Sequence, residues 1–549
     1  MTIKENDRAK RIVKFHEKKV GERANWDDHW YNTAFYVIPE LDDVYEWQHK
    51  SKGEEKHYKL YDNSAEHNNE LLSSALMSMA INPTSQWFEL TTGDPQLDKV
   101  AGVRKYLQET VRIALNILNN TNFHPEAGGM FKGLNALGTG PLMMFEDDEF
   151  VVRFQALPVY MVYLGENNRG LVSTMSQEKK MTVYQAYAEY GKDKFPEDIQ
   201  RKYDKDLDKD IIIVHLLMER KEAELRGFVE PRKGRKRKKN VGVNKDLVSL
   251  HVLKDKPVFL KEAGFDEFPG AVPRWSKTPG EVYGRGPGMK ALPEIRMVNQ
   301  MRKVTIRGAQ KIVDPPLLAP DDGIMGRVNT RPGGITTYRA GTNDRVESLN
   351  TNANVPVGLD LVEDSRGEIR KYFFIDQLQL REGPQMTATE VNERIDQSLR
   401  LLGPMLTRLE FELLQPIVAR LIRIMKDNDL LPPDPPEELD GINPRARFSS
   451  QIAKAQRAIE AQSIERFLGS VAPIVELDPS TMDHLNIPSY LQVMADSYSV
   501  PQEIFNDPAK VKKMQEQRAA QAEDERRRQV EMEDAEKVSK VAPAIKAEG

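Results

Sequence analysis

The sequence predicts an α+β fold that is mainly helical. Several stretches carry apolar residues at helical spacing, and the longest begins at the capping box Thr387-Ala-Thr-Glu390 and continues to about Asp427. Between Leu142 and Phe259, short apolar runs alternate with turn residues, a pattern typical of β-strands. Long helices with an interposed strand region therefore define the expected architecture.

The composition excludes some functional classes. The 549-residue chain contains no cysteine, which excludes disulfides and thiolate metal sites. A formal net charge of −5 argues against a generally basic nucleic-acid-binding protein. An apolar fraction of 39% allows sizeable cores, and the length allows several domains. No apolar run approaches the ~20 residues that span a bilayer, so we expect a soluble protein made inside the cell, without a signal peptide or membrane contact.

The N-terminal part of the chain predicts helices. A charged, helix-permissive segment precedes an aromatic patch around Trp26, which is typical of core or subunit contacts. Glu66–Met79 and Asp98–Asn119 have the apolar spacing of helices. The pair Gly128-Gly129 predicts a turn before the first strands.

The middle region predicts β-strands. Val159–Tyr163 and Leu247–Phe259 have strand-like composition, and Ile211–Met218 is an apolar run interrupted only by His215. Such a run is typical of a buried strand. We therefore interpret His215 as a core histidine rather than a ligand.

Two charged loops leave functional alternatives open. The run Arg232–Lys239 has seven cations in eight residues, and it predicts either a solvated hairpin tip or the main contact of a nucleic-acid-binding adaptor. The acidic run Glu146–Glu149 predicts an exposed turn, and its alternative is the cation site of a metal-dependent nuclease. Loss of DNA binding on deletion of the basic run would favour the adaptor. Loss of DNA cleavage in Asp147→Ala and Asp148→Ala variants would favour the nuclease.

The helix that begins near Met289 carries a basic stripe. It continues to Val313 and ends at Asp314-Pro315-Pro316, because a residue before proline is forced out of the α region. At about 1.5 Å per residue, this helix would be roughly 37 Å long. Its stripe recurs at steps of three and four and consists of Arg296, Gln300, Lys303, Arg307 and Lys311.

A second helix, Val357–Tyr372, carries an acidic row of Asp360, Asp364 and Glu368 at steps of four. A basic helix followed by an acidic one favours antiparallel pairing, either within one chain or between neighbouring chains. The alternative is that the stripe is a basic wall facing nucleic acid. The sequence alone leaves both interpretations open.

The histidines and glycines form no motif that predicts catalysis. The nine histidines are scattered, without a zinc-binding spacing such as His-Glu-x-x-His. Gly284-x-Gly286-x-Gly288 departs from the dinucleotide fingerprint, and no Gly-Lys-Ser/Thr phosphate loop occurs. We therefore expect a protein that is not an enzyme and that binds no cofactor and no metal.

Six stretches stand out for their order along the chain: Trp87-Phe88, Glu281-Val-Tyr-Gly-Arg-Gly-Pro287, Ala291-Leu-Pro-Glu-Ile-Arg296, Ala309-Gln-Lys-Ile-Val-Asp-Pro-Pro-Leu-Leu318, Met386-Thr-Ala-Thr-Glu-Val391 and Ala453-Lys-Ala-Gln-Arg-Ala-Ile459. In this order they resemble the portal (head-to-tail connector) proteins of tailed bacteriophages, particularly those of short-tailed phages. The resemblance covers most of residues 25–500.

The resemblance implies a portal-type fold assembled as a ring, usually of about twelve subunits, around a channel for double-stranded DNA. Pro404 and Pro416 should kink the long helix of its wing. The implied parts are the wing (1–280, with the basic loop 232–239), a first stem helix (281–314), the clip (315–356), a second stem helix (357–372), the tunnel loop (373–386), the long kinked wing helix and the helices after it (387–500), and a crown or barrel with a charged tail (501–549).

The resemblance also implies partners, a location at the portal vertex of the virion and assembly in the host cytoplasm. The partners are other copies of the chain, double-stranded DNA bound without sequence preference, the large terminase subunit, a tail adaptor, and the major capsid and scaffolding proteins. DNA would contact the stem stripe and the tunnel-loop residues Gln377, Gln379, Arg381 and Glu382. Terminase and adaptor would dock on the clip residues Asp321, Asp322, Arg327, Arg331 and Arg339.

Overall fold

A computed structural model describes residues 5–41, 56, 60–203, 206–231, 245–318, 327–330, 335, 337, 346–349, 355–378, 401–442, 444–448, 463–471, 473, 485–497 and 508–545. These residues form an α+β structure that is mostly helical, which confirms the predicted fold class. The chain divides into two compact units. The first comprises residues 1–86 and 114–430, and the second comprises residues 87–113 and 431–549.

Helices account for most of the described structure. Among the described residues, no helix is both long and apolar enough to cross a membrane. The helices are α1 (Glu5–Val37), α2 (Ser64–Ala80), α3 (Ala101–Asn120), α4 (Phe123–Leu137), α5 (Val183–Tyr190), α6 (Glu197–Tyr203), α7 (Arg220–Leu225), α8 (Pro287–Val313), α9 (Val355–Tyr372), α10 (Ile375–Leu378), α11 (Gln415–Asp427), α12 (Ile487–Ser497) and α13 (Pro508–Ile545). Residues 401–409 and 463–471 are also helical.

The strands form antiparallel sheets. The strands are β1 (Phe88–Thr91), β2 (Leu142–Asp147), β3 (Val151–Ala156), β4 (Val162–Glu166), β5 (Val172–Thr182), β6 (Asp210–Glu219), β7 (Leu247–Leu253), β8 (Phe259–Phe265), β9 (Gly270–Ala271), β10 (Leu317–Leu318), β11 (Glu347–Ser348) and β12 (Arg445–Phe448). In the first unit, a five-stranded sheet has the order β4-β5-β6-β7-β8, a three-stranded sheet has the order β3-β2-β9, and β10 pairs with β11. In the second unit, β1 pairs with β12.

Helix α1 completes the core of the five-stranded sheet. Its apolar residues Ile12 and Val13 are buried against strand residues such as Val214 and Leu216. Farther along α1, the indole Nε1 of Trp30 donates to the backbone oxygen of Leu137 at 3.2 Å. The charged N-terminal segment and the aromatic patch therefore form one helix, and Trp30 of the patch is buried in the core, one of the two environments predicted for the patch.

The described structure corrects two local predictions. Gly128 and Gly129 lie inside α4 rather than in a turn. An added Cβ on Gly128 would lie only 3.0 Å from Sδ of Met77 in α2, so close packing between helices outweighs the weak helix propensity of glycine. Val159–Tyr163 also differs from the predicted strand, because it begins with a 3₁₀ turn and only Val162 starts β4.

The acidic run before β3 is an exposed turn, as predicted. A carboxylate oxygen of Asp147 accepts hydrogen bonds from the backbone N–H groups of Glu149 and Phe150, both at 3.0 Å. These hydrogen bonds lower the pKa of Asp147. The carboxylate therefore closes the β2–β3 turn. In the described part of the chain, no group of three or more side chains is placed to hold a metal ion.

His215 lies in the core, as predicted, on strand β6. Its ring stacks on His251 of β7 with centroids 4.1 Å apart, and its Nε2 is 2.9 Å from the hydroxyl oxygen of Ser249. Burial lowers the pKa of His251 to about 3, with the nearby Lys179 and Lys261 acting in the same direction. The paired rings are therefore held neutral near pH 7.

A second buried polar cluster joins α1 to the sheet. Glu178 on β5 accepts a hydrogen bond from the ammonium of Lys254 at 2.6 Å, and its carboxylate lies 2.7 Å from Nε2 of His16. Burial alone would raise the pKa of Glu178, but the hydrogen bonds from His16 and Lys254 outweigh it and bring the pKa to about 2.

These clusters predict that acid destabilises the first unit in two stages. The pKa of His251 is lower in the folded state, so its contribution is complete above about pH 6.5 and declines toward pH 3. Glu178 contributes above about pH 4.5 and loses that contribution as the pH falls toward 2, for a total of about 3 kcal/mol. Thermal unfolding measured from pH 7 to pH 2 should show that Glu178→Gln removes the lower stage only. Parallel pH curves for the variant and the wild-type chain would contradict this assignment.

Candidate functional site: the α8–α9 hairpin

The start of helix α8 makes close backbone contacts with the end of α4 through two glycines. An ideal Cβ on Gly286 would lie 2.3 Å from the backbone oxygen of Asn135, and one on Gly284 would lie 2.3 Å from that of Gly138. Contacts this short admit only glycine. Pro287 then starts the helix, where its missing N–H costs no hydrogen bond. The glycines that departed from a dinucleotide fingerprint therefore pack the start of α8 against the end of α4.

A buried arginine ties this joint to other elements of the first unit. The Arg274 side chain is 1% exposed, and its Nη2 and Nε donate to the two carboxylate oxygens of Glu412 at 2.8 and 3.0 Å. Its Nη1 pairs with Glu166 at the end of β4 and donates to the backbone oxygen of Val282 at 3.2 Å. Its Nη2 also donates to the backbone oxygen of Gly170 at 3.0 Å. One guanidinium therefore connects the sheet, the approach to α8 and the helical segment that precedes α11.

The segment that carries Glu412 is a π-helical turn. The helix of residues 401–409 passes through this turn, Glu410–Leu414, into α11. Pro416 lacks the N–H that would reach the carbonyl of Glu412 in a regular α-helix, so the helix is irregular just before the proline. The predicted disturbance at Pro416 is therefore present as a π turn. Pro404 lies in the described helical residues 401–409, but the turn before it belongs to residues 387–400, which lie outside the described residues, so the kink predicted there remains a prediction.

Helices α8 and α9 pack as an antiparallel pair. Gly358, near the start of α9, meets Thr305 near the end of α8, where an added Cβ would lie 2.8 Å from the threonine hydroxyl. At the other end of the pair, both helices hold the segment after residue 60. The amide oxygen of Asn299 accepts from the backbone N–H of Tyr61 at 2.7 Å, and Nε of Arg366 donates to Asp62 at 2.9 Å.

Both charged rows are on the exposed sides of their helices, apart from the half-buried Lys303, whereas other side chains of α9 are buried. Val362, Ser365 and Ile369 of α9 are buried. Arg296, Arg307 and Lys311 of α8 are exposed, as are Asp360, Asp364 and Glu368 of α9, and Lys303 is half-buried with its ammonium 5.5 Å from the centre of the Tyr61 ring. Among the described residues, no ion pair joins the stripe to the acidic row. The helices pair antiparallel, as expected, but without the salt bridges that the sequence suggested.

The family of the chain follows from its similarity to known proteins. The family model described as "Bacteriophage head to tail connecting protein" matches residues 9–505. The chain belongs to this family of phage connectors.

Two curated relatives agree with that family. The connector chain is 30% identical over 511 residues to the "Probable portal protein" of Bordetella phage BPP-1, which covers 91% of this chain and 89% of the relative. It is 27% identical over 526 residues to the "Portal protein" of Salmonella phage epsilon15, covering 93% of this chain and 91% of the relative. The resemblance inferred from the sequence motifs is confirmed, and the adaptor alternative is not favoured.

The structure places only some of the predicted contact residues of the connector. Gln377 lies in α10, so residues 375–378 of the expected tunnel loop are helical. Arg327 is exposed. The other predicted tunnel and clip residues and the basic run lie outside the described residues: Gln379, Arg381, Glu382, Asp321, Asp322, Arg331, Arg339 and 232–239.

The end of the connector's α9 has features that the sequence did not suggest. Phe374, between α9 and α10, has a φ of 60°, which is unusual for a residue with a side chain. Its ring lies 6.2 Å from that of Trp275, measured between centroids. A cavity of about 400 Å³ next to them is lined by Trp275, Pro287, Lys290, Glu368, Lys371, Tyr372 and Phe374. The base of the α8–α9 pair is therefore a tight turn beside a partly polar cavity.

Proposed function

We propose that the chain is a phage portal protein that forms a ring of about twelve copies at one capsid vertex. The ring provides the channel through which double-stranded DNA enters during packaging and leaves during ejection. The match to the connector family over residues 9–505 carries this proposal. In this role the protein is a structural component rather than an enzyme.

The parts of the portal follow the order of the sequence. Residues 281–314 and 357–372 are the stem, residues 315–356 the clip and residues 373–386 the tunnel loop, and α8 and α9 support the stem assignment by their antiparallel packing. The wing comprises residues 1–280 and 387–500, and residues 501–549 form the crown or barrel. The described helix α13 is compatible with that last part.

DNA that moves in both directions needs weak contacts. Strong phosphate contacts would slow translocation, because each neutralised phosphate adds binding free energy. The net charge of −5 and the uncharged Gln377 and Gln379 suit that requirement, with Arg381 as an isolated cation. We expect contacts to the phosphate backbone and no base readout.

Phage assembly provides the test of this function. A phage that lacks the chain should form heads without DNA, and the wild-type chain supplied in trans should restore DNA-filled heads. A chain without residues 379–386 should still join the head but lower the amount of packaged DNA, because the tunnel contacts are missing. DNA-filled heads in the complete absence of the chain would contradict the portal role.

The clip assignment predicts that docking of terminase and of the tail adaptor can be lost without loss of head assembly. Replacing Arg327, Arg331 and Arg339 with glutamate should reduce binding of the large terminase subunit and of the tail adaptor at least about tenfold, because reversed charge repels a complementary surface. Assembly with the capsid and scaffolding proteins should remain. Arg201→Glu, a single reversal at an exposed site on α6, is a control for charge reversal elsewhere and should bind both partners normally. Pull-down of each partner measures the effect, and unchanged binding by the triple variant would remove the clip assignment.

A further inference from the structure

The stripe of α8 lies on the opposite side of that helix from α9. Lys303 and Arg307 are each two residues from Thr305, which meets Gly358 of α9. At about 100° per residue, both side chains point about 160° away from that contact. Arg296, nine residues from Thr305, is about 180° from it. The stripe therefore covers the outer surface of α8.

The acidic row lies on the outer surface of α9 in the same way. Asp360 is two residues from Gly358 and therefore points about 160° away from the contact with α8. Asp364 is six residues from Gly358 and points about 120° away. The helix pair is thus a layer with a basic outer surface on one side and an acidic outer surface on the other.

Exposed apolar side chains border both charged surfaces. Met297 and Val304 lie next to the stripe and are 43% and 58% exposed. Leu361 lies next to the acidic row and is 49% exposed. Apolar groups beside a charged row are typical of a surface that another protein covers.

We propose that the basic surface of α8 docks on the acidic surface of α9 in a second copy of this chain. This inference rests on the proposed ring and names the contact that closes it. A surface that binds a different surface of an identical chain is a head-to-tail interface, and such interfaces form rings when the rotation closes. The charges and the apolar borders on the two outer surfaces are complementary, whereas DNA would leave the acidic row and the apolar borders without a partner.

The antiparallel packing sets the register between the copies. Thr305 is level with Gly358, so Lys303 is level with Asp360 and Arg296 is level with the turn between Asp364 and Glu368. Rotation about an axis parallel to the helices keeps these heights unchanged. The expected contacts are therefore from Lys303 to Asp360 and from Arg296 to Asp364 or Glu368 of the neighbouring copy.

Two charge-reversed chains test this docking. An acidic variant carries Lys303→Glu and Arg307→Glu, and a basic variant carries Asp360→Lys and Asp364→Lys. Each variant alone brings like charges together at the contact between residues 303 and 360, so the ring fraction should fall about tenfold at moderate salt. Mixed in equal amounts, the two variants should form rings in which they alternate, because each acidic surface then meets a basic one. Native mass spectrometry of chains with distinguishable tags measures the composition.

The controls separate this docking from the ring itself and from folding. Arg11→Glu with Lys14→Glu changes the net charge by the same amount as the acidic variant does, but at exposed positions on α1. This control variant should form rings like the wild-type chain. Thermal unfolding establishes that each variant is folded. Variants that form homomeric rings as well as the wild-type chain, or a mixture of folded variants that forms no alternating rings, would overturn the inference. A wild-type chain that forms no ring would instead refute the proposed function.

Discussion

Gly286→Ala is expected to destabilise the first unit by about 3 kcal/mol, the upper end of the usual cost of overpacking. The new Cβ would lie 2.3 Å from the backbone oxygen of Asn135 and 2.9 Å from that of Leu134. Backbone atoms at the end of α4 cannot rotate aside as a flexible side chain can. The start of α8 must therefore separate from α4, and the melting temperature of the first unit should fall by several degrees.

Gly133→Ala is the matched control for this prediction. Gly133 lies in α4, the helix whose end Gly286 contacts, and no atom would lie within 4 Å of an added Cβ. Alanine is the better helix former, so the control should be neutral or more stable by up to about 1 kcal/mol. Thermal unfolding of the three chains in parallel is sufficient. Equal melting temperatures for Gly286→Ala and the wild-type chain would show that stability does not require glycine at position 286.

Arg274→Met is expected to cost about 3 kcal/mol, the lower end for a broken buried ion pair, because Glu412 then keeps only Arg408 and Glu166 keeps only Lys277 as a cationic partner. Glu412 receives two hydrogen bonds from the guanidinium, and Glu166 pairs with the same group. Arg274→Lys should rescue little, since an ammonium cannot form the two parallel hydrogen bonds of a guanidinium. Removing the Glu412 carboxylate as well, as in Arg274→Met with Glu412→Met, should recover part of the loss.

An exposed arginine is the control for the buried one. Arg423 pairs with Asp266 at 2.7 Å, but its side chain is 42% exposed. Exposed ion pairs contribute about 0–1 kcal/mol, so Arg423→Met should change the free energy of unfolding little. Denaturant unfolding of Arg274→Met and Arg423→Met gives both values. Equal losses in the two variants would mean that Arg274 does not hold the elements together.

Local signals in the sequence predicted the bounds of α8 and α9 well. Val313 is the last residue of α8 in both the prediction and the structure, because the two prolines after Asp314 stop the helix whatever surrounds it. The predicted start of α9, Val357, differs from the observed Val355 by two residues. The acidic turn at Asp147 was predictable for the same reason, since its hydrogen bonds are to residues two and three positions away.

Features that depend on distant residues had no such signal. Arg274 and Glu412 are 138 positions apart, and nothing near either residue marks the pair. The pair Gly128-Gly129 predicted a turn because glycine is a weak helix former. The contact of Gly128 with Met77, which explains the glycine inside α4, is tertiary and leaves no local signal. The stripe and the acidic row were visible as periodicity. Their placement on opposite outer surfaces required knowledge of which residues form the contact between α8 and α9.

The mass of the purified chain tests the central claim, assembly into a portal ring, most directly. Mass photometry or native mass spectrometry at micromolar concentration is suitable. Twelve chains of 62.6 kDa predict a species of about 750 kDa (12 × 62.6 kDa), and one subunit more or fewer would still be a ring. A stable monomer or dimer under the same conditions would contradict the portal assignment and the stem contacts that depend on it.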